Sequence, residues 1–304
     1  MTGTGRATAP AAGTVLNALA TGVGSAFAID AHTTATVELD AGSDAVVGEI
    51  AGAPDADTRL VERCVELVVE RFGDGEGGRV RTESEVPMAG GLKSSSAAAN
   101  ATVLATLGAL GVEPSDDADG RDASDGPDDP DATVDREDAA RIGVRAAREA
   151  GVTVTGAFDD ASASMLGGLT VTDNERDEVL KRDVVEWDVL VWTPDERAFS
   201  ADADVANCER VAPMADLVAD LAMAGDYGRA MTVNGLAFCA ALDFPTDPLV
   251  AAMPHAEGVS LSGTGPSFVA VGDREALDPV REIWNTYEGT TWLTRTQQTG
   301  ARRT

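Results

Sequence analysis

Apolar positions fall at helical spacing in residues 57–73, where Leu60, Val61, Cys64, Val65, Leu67, Val68 and Phe72 form one broad stripe closed by Gly73. Residues 136–151 return to a helical pattern and end at Gly151. Leucine- and alanine-bearing segments at about 213–224 and 227–242, with ALDPVREIWNTY at 276–287, complete the predicted helices outside the glycine-rich segments. Alternation with β-branched residues predicts strands at 26–40 (strand or hairpin), 78–87, 184–194, on both sides of 262–267, and near TTWLTRT. Residues 152–173 read as a short strand, a turn with Asp159 and Asp160, a small-residue helix, a Gly-Gly turn and another strand. The opening thirty residues are rich in Ala, Gly and Thr. Helices and strands mix without a regular βαβ period and no segment repeats, which predicts α+β rather than a doubly wound parallel sheet.

Composition narrows the function. The chain has 304 residues, 43% of them hydrophobic, enough for a sizeable core. Its 52 acids against 23 bases give a net charge of −29, which repels phosphate backbones and excludes nucleic-acid binding by general electrostatics. No run approaches the roughly 18–20 apolar residues of a membrane helix. The opening MTGTGRATAPAAG has no basic region followed by a long apolar one, so a cytoplasmic protein is expected. Three distant cysteines (Cys64, Cys208, Cys239) and two histidines argue against a zinc site or a disulfide framework. Among the bases only Lys93 and Lys181 are lysines; the rest are arginines. With so many carboxylates, which hold water where salt competes for it, this points to a protein adapted to high salt. Residues 115–135 are dense in Asp, Gly and Pro and are expected to form a solvated loop.

Three segments carry candidate chemistry. Pro87-Met88-Ala89-Gly90-Gly91-Leu92-Lys93-Ser94-Ser95-Ser96-Ala97 places glycines before a helix whose free N–H groups and positive dipole end suit an anionic phosphate. Lys93 adds a point charge, and the serines add donors and a magnesium ligand. This is not a Walker A loop, because Leu92 stands where that motif needs glycine. Ser262-Gly263-Thr264-Gly265 alternates glycine and hydroxyl residues in a tight turn of converging N–H groups. The segment from Gly156 to Gly168 holds Asp159 and Asp160, either able to orient or deprotonate an attacking hydroxyl.

In this order the three segments resemble the GHMP kinase superfamily. The family loop P-x3-G-L-x-S-S-A matches Pro87, Gly91, Leu92 and the serines before Ala97; GAFDDASASMLGG and LSGTGPS resemble its other two motifs. GGLKSSSAAANA, GVTVTGAFDDASAS and APAAGTVLNALATGVGSAFAID are most similar to the archaeal-type shikimate kinase branch. The resemblance implies a two-domain α+β fold with ATP between the domains, taken as residues 1–182 and 183–304. It also implies phosphorylation of the 3-hydroxyl of shikimate in aromatic amino acid synthesis, with ATP and magnesium. Another small-molecule kinase of the superfamily, for homoserine or mevalonate, is the alternative. The resemblance makes Asp159 the first choice for the catalytic carboxylate by its distance from Gly156, and Asp160 the second by its distance from Gly167. It assigns the metal to Ser95 or Ser96 with Glu149, ten residues before Asp159. The oligomeric state and the residues that hold the shikimate carboxylate are left open.

Overall fold

Two long strands organise the N-terminal half. β1 (Gly3–Leu16) and β2 (Val23–Asp40) pair antiparallel over almost their whole length. The computed structural model describes residues 3–86, 91–115, 134–153, 155–195 and 205–304. β1 emerges from the Ala/Gly/Thr-rich opening, where strand propensity is poor. Its small residues are what the position requires: Ala7, Ala9, Ala11 and Ala12 are fully buried, and helices crowd the strand.

β3 (Val46–Ile50) leads through α1 (Arg59–Phe72) to β4 (Gly77–Ser84), and β3 and β4 run parallel. α2 (Ser94–Leu110) follows. It is apolar or small on every side, as a helix enclosed by its neighbours must be, and it packs against β1, β2, α1 and α3 (Arg136–Ala150). α4 (Phe158–Leu166), β5 (Leu169–Asp173) and β6 (Glu178–Asp183) complete this half. Asp159 and Asp160, expected in a turn, lie in the first turn of α4, and residues 152 and 153 form no strand.

The second half contains β7 (Asp188–Thr193), α5 (Val205–Glu209), α6 (Ala212–Met223), α7 (Tyr227–Leu242) and α8 (Asp247–Ala252). β8 (Gly258–Leu261), β9 (Phe268–Gly272), α9 (Arg274–Trp284), β10 (Thr290–Arg295) and β11 (Arg302–Arg303) follow. Two sheets result: β11-β1-β2-β4-β3 with β5 on β2 and β6 on β5, and the antiparallel β10-β7-β9-β8. The changeover falls between Asp183 and Asp188, but β11 returns to the first sheet beside β1. One apolar cluster joins Leu16 and Phe27 from the first half to Leu190, Phe238 and Trp284 from the second. Burial is therefore continuous across the changeover, and the first-half strands are held partly by second-half side chains.

Candidate active site

The site forms where the N-terminus of α2, the N-terminus of α4 and the turn between β8 and β9 converge. α2 begins at Ser94 with Lys93 as its N-cap in the left-handed region (φ 63). The Lys93 side chain does not cap its first N–H groups and no acid occupies its first turn, so among the described residues its positive end is left for an anion. Holding a lysine left-handed costs on the order of 1 kcal/mol, a strain typical of functional positions.

The β8–β9 turn is bound directly to this region. Ser262 Oγ donates to the Gly91 carbonyl at 2.8 Å. Gly263 N–H donates to Thr14 Oγ1 at 2.8 Å, and Asn17 Nδ2 donates to the Gly263 carbonyl at 2.8 Å. Asn17 is set in turn by Asn234, whose Oδ1 accepts from the Asn17 N–H at 2.9 Å and whose Nδ2 donates to Ser260 Oγ. Glycine suits position 263: it has φ 59, and a Cβ there would stand 2.7 Å from Lys93 Nζ and push the ammonium aside.

Lys93 Nζ reaches Asp160 Oδ2 at 2.8 Å, and both side chains are nearly buried. The other oxygen, Asp160 Oδ1, is buried without a hydrogen-bond partner. Burial pushes the Asp160 carboxyl up to about 7; the charge of Asp159 adds to the rise and Lys93 opposes it. Asp159 faces a different neighbour. Its Oδ1 accepts from Asn174 Nδ2 at 2.8 Å, and its own N–H donates to Asn174 Oδ1 at 3.1 Å.

Both aspartates line one cleft together with Lys93, Gly263 and Thr264. Asn17, Thr153 and Thr155 form more of its wall. The two threonine hydroxyls accept the N–H groups of Gly156 and Ala157, each at 3.2 Å, leaving their own O–H to donate elsewhere. Asn17 and the threonines were not singled out in the sequence. Both lie in segments that carry the family resemblance, but VTVT reads as strand alternation and nothing in the sequence marks Asn17 itself.

The sequence candidates divide as follows. Lys93, Asp159, Asp160, Gly263 and Thr264 meet at the cleft. Gly91, Ser262 and Gly265 support it from behind, and Leu92 and Ala97 are core residues. Ser94, Ser95 and Ser96 occupy the first turn of α2. Pro87, Met88, Ala89 and Gly90 lie outside the described residues, as does most of the acidic loop 115–135. Glu149 lies apart from the others. It sits at the end of α3, where Arg63 and Arg145 bind it at 2.5 and 2.8 Å, and it does not line the cleft. Ten residues of separation placed it near Asp159 in sequence, but the helix end carries its carboxylate to a charged outer face.

Comparison with known proteins agrees with this geometry. The GHMP kinases N terminal domain matches residues 59–123. The shikimate kinase of Halobacterium salinarum is 66% identical, with 99% of each chain covered. That of Methanococcoides burtonii is 49% identical over 93% of this chain and 92% of its own. Among solved structures, a homoserine kinase from Cytophaga hutchinsonii superposes with TM-score 0.73 at 16% identity, covering 99% of this chain and 97% of its own. The Methanococcus jannaschii mevalonate kinase gives 0.71 at 14%, covering 96% and 98%. The cleft between the start of α2 and the β8–β9 glycine turn, with its lysine–aspartate pair, suits that class, and the identities show it: the chain belongs to the GHMP kinases, and within them to the shikimate kinase family of these archaea.

Proposed function

We propose that this protein transfers the γ-phosphoryl group of ATP to the 3-hydroxyl of shikimate, a step toward the aromatic amino acids. The observation that carries the reading is the Lys93–Asp160 pair, set at the mouth of a helix N-terminus inside the cleft. The 66% identity to a shikimate kinase supports this substrate over the alternatives.

The chemistry follows from charge. Both reactants are anions and the chain carries −29, so attraction must be local. The uncapped end of α2 and Lys93 supply it, facing the transferring phosphoryl group. Asp160, rather than the sequence-preferred Asp159, takes the role of base. Lys93 holds Oδ2, and the buried Oδ1 has no hydrogen-bond partner, so the carboxylate keeps one acceptor for the attacking hydroxyl once substrate enters and opens the packing around it. A loose phosphoryl-transfer transition state asks mainly for such positioning. The cleft wall of Asn17, Thr153 and Thr155 offers neutral donors to a polyhydroxylated ring.

Magnesium fits if it arrives on the nucleotide. No group of three His, Cys, Asp or Glu gathers among the described residues, so a cage made by protein alone does not fit. The hydroxyls of Ser95 and Ser96 are hard oxygen donors of the kind that completes a phosphate-bound magnesium. When bound, the ion neutralises phosphate charge.

No helix among the described residues is long and apolar enough to cross a membrane. A cytoplasmic protein working in high salt suits this and the acidic, arginine-rich composition. The division into parts 1–182 and 183–304, with ATP between them, belongs to the same proposal. Activity measured with ATP in molar salt, on shikimate, homoserine and mevalonate side by side, tests the assignment. Turnover of shikimate is expected; turnover of another alcohol with none on shikimate overturns it.

A further inference from the structure

Resting on the shikimate reading, we infer that Asp159 binds the hydroxyl beside the one that is phosphorylated, so that the two adjacent aspartates together read a vicinal diol. Phosphoryl transfer needs one carboxylate, and Asp160 fills that role beside Lys93. A second one in the same cleft adds its charge to the rise at Asp160 but takes no proton in that step. Yet Asp159 is 4% exposed, and burying a carboxylate is costly unless hydrogen bonds compensate.

Its surroundings compensate only half of it. Asn174 Nδ2 donates to Oδ1, while Oδ2 accepts no hydrogen bond from a described residue. No described Lys, Arg or His forms an ion pair with it. Asn174 is fixed in orientation: its Oδ1 accepts from Thr172 Oγ1 at 2.7 Å and from the Asp159 N–H, so its amide nitrogen must face the carboxylate. Asn174 N–H is itself tied to the Gly22 carbonyl at 2.9 Å. Gly24 forms a close wall, since a Cβ there would lie 2.7 Å from Asp159 Oδ2. The carboxylate is thus held in place with one acceptor unused and the cleft before it.

That acceptor suits a donor carried by the substrate. A substrate carboxylate or phosphate would be repelled, and one carboxylate with no further acidic group beyond Asp160 makes no metal site. An alcohol O–H fits. Shikimate carries three contiguous hydroxyls, and homoserine carries one. When Asp160 takes the 3-hydroxyl, the neighbour on the ring is the 4-hydroxyl, directed at Asp159. The substrate carboxylate then lies on the side away from both aspartates. Asn174 is a positioning residue acting through Asp159.

The test compares shikimate with 4-deoxyshikimate on the full chain. Wild type should prefer shikimate by about 10²-fold or more in kcat/KM, as a site built for a hydroxyl rejects the analogue without it. Asp159→Ala should bring the two substrates to within about tenfold while KM for ATP stays unchanged, the loss expected for a charged hydrogen bond. If Asp159→Ala does not fold, Asn174→Ser reads the same ratio with the carboxylate present but untethered, and a smaller preference is expected. An unchanged preference in a folded variant overturns the inference, as does a wild type that treats both substrates alike. A wild type that ignores shikimate and uses another alcohol is a separate result, and it overturns the underlying substrate reading.

Discussion

Ser262 Oγ donates a hydrogen bond to the carbonyl of Gly91 across 171 residues of sequence. This bond holds the β8–β9 turn against the segment that leads into α2. It places Gly263 under the Lys93 ammonium, so both glycine-bearing segments and the lysine form one body.

Lys93→Ala should lower kcat at saturating shikimate by on the order of 10²–10³-fold, the worth of about 2–4 kcal/mol of transition-state charge stabilisation. Steady-state kinetics in molar salt reads it. Unchanged kcat makes the ammonium a bystander.

Asp160→Asn keeps the shape and removes the charge. It should retain binding of a non-hydrolysable ATP analogue while kcat falls about 10²-fold or more. Asp159→Asn should lower kcat less. The opposite order would return the base to Asp159.

The raised Asp160 pKa fixes a pH dependence. Catalysis needs the ionised form, so kcat/KM should rise as pH passes through about 7. Stability runs the other way. The folded state holds this proton more tightly than the unfolded chain. The contribution is therefore complete below the ordinary value of 3.8 and is lost as pH rises through about 7. Asp159→Asn removes the second cause of the shift and should move the acid limb of the rate profile to lower pH. A limb that stays put would show that the two carboxylates do not interact.

Gly263→Ala puts a methyl group at φ 59 and 2.7 Å from Lys93 Nζ. The left-handed backbone costs about 1 kcal/mol, and the ammonium must move off Asp160. A folded protein with reduced kcat is expected, seen by comparing thermal midpoint with turnover.

Glu149→Gln should leave the magnesium dependence of the rate unaltered, because Glu149 serves Arg63 and Arg145 on an exposed face. Exposed ion pairs are worth about 0–1 kcal/mol, so the thermal midpoint should fall only slightly. A shifted magnesium titration would restore Glu149 to the site.

Much of the fold was legible along the chain. The stripe ending at Gly73 became α1, the pattern ending at Gly151 became α3, and the alternation before Asp273 became β8 and β9. β1 was not legible, because its alanines and glycines have no strand preference and take that form only between packed helices. β3, β6 and the two-residue β11 were missed too; β11 exists only because β1 lies beside it.

The candidate site divides along the same line. Local chemistry is written locally: a glycine-rich segment before a serine-rich helix, a lysine kept where arginine prevails, two adjacent aspartates and a second glycine turn are all short-range patterns. They identified the family and most residues that meet in the cleft. Which carboxylate meets the lysine was settled by where α4 begins, since a helix rotates its side chains by about 100° per residue. Starting at Phe158, it turns Asp160 to Lys93 and Asp159 to Asn174. Asn17, Asn174 and Asn234 entered only through contacts across the fold, and Glu149 left because α3 ends beside Arg63. Residue type is set by sequence, but partnership depends on distances that exist only once the helices are docked on their sheets.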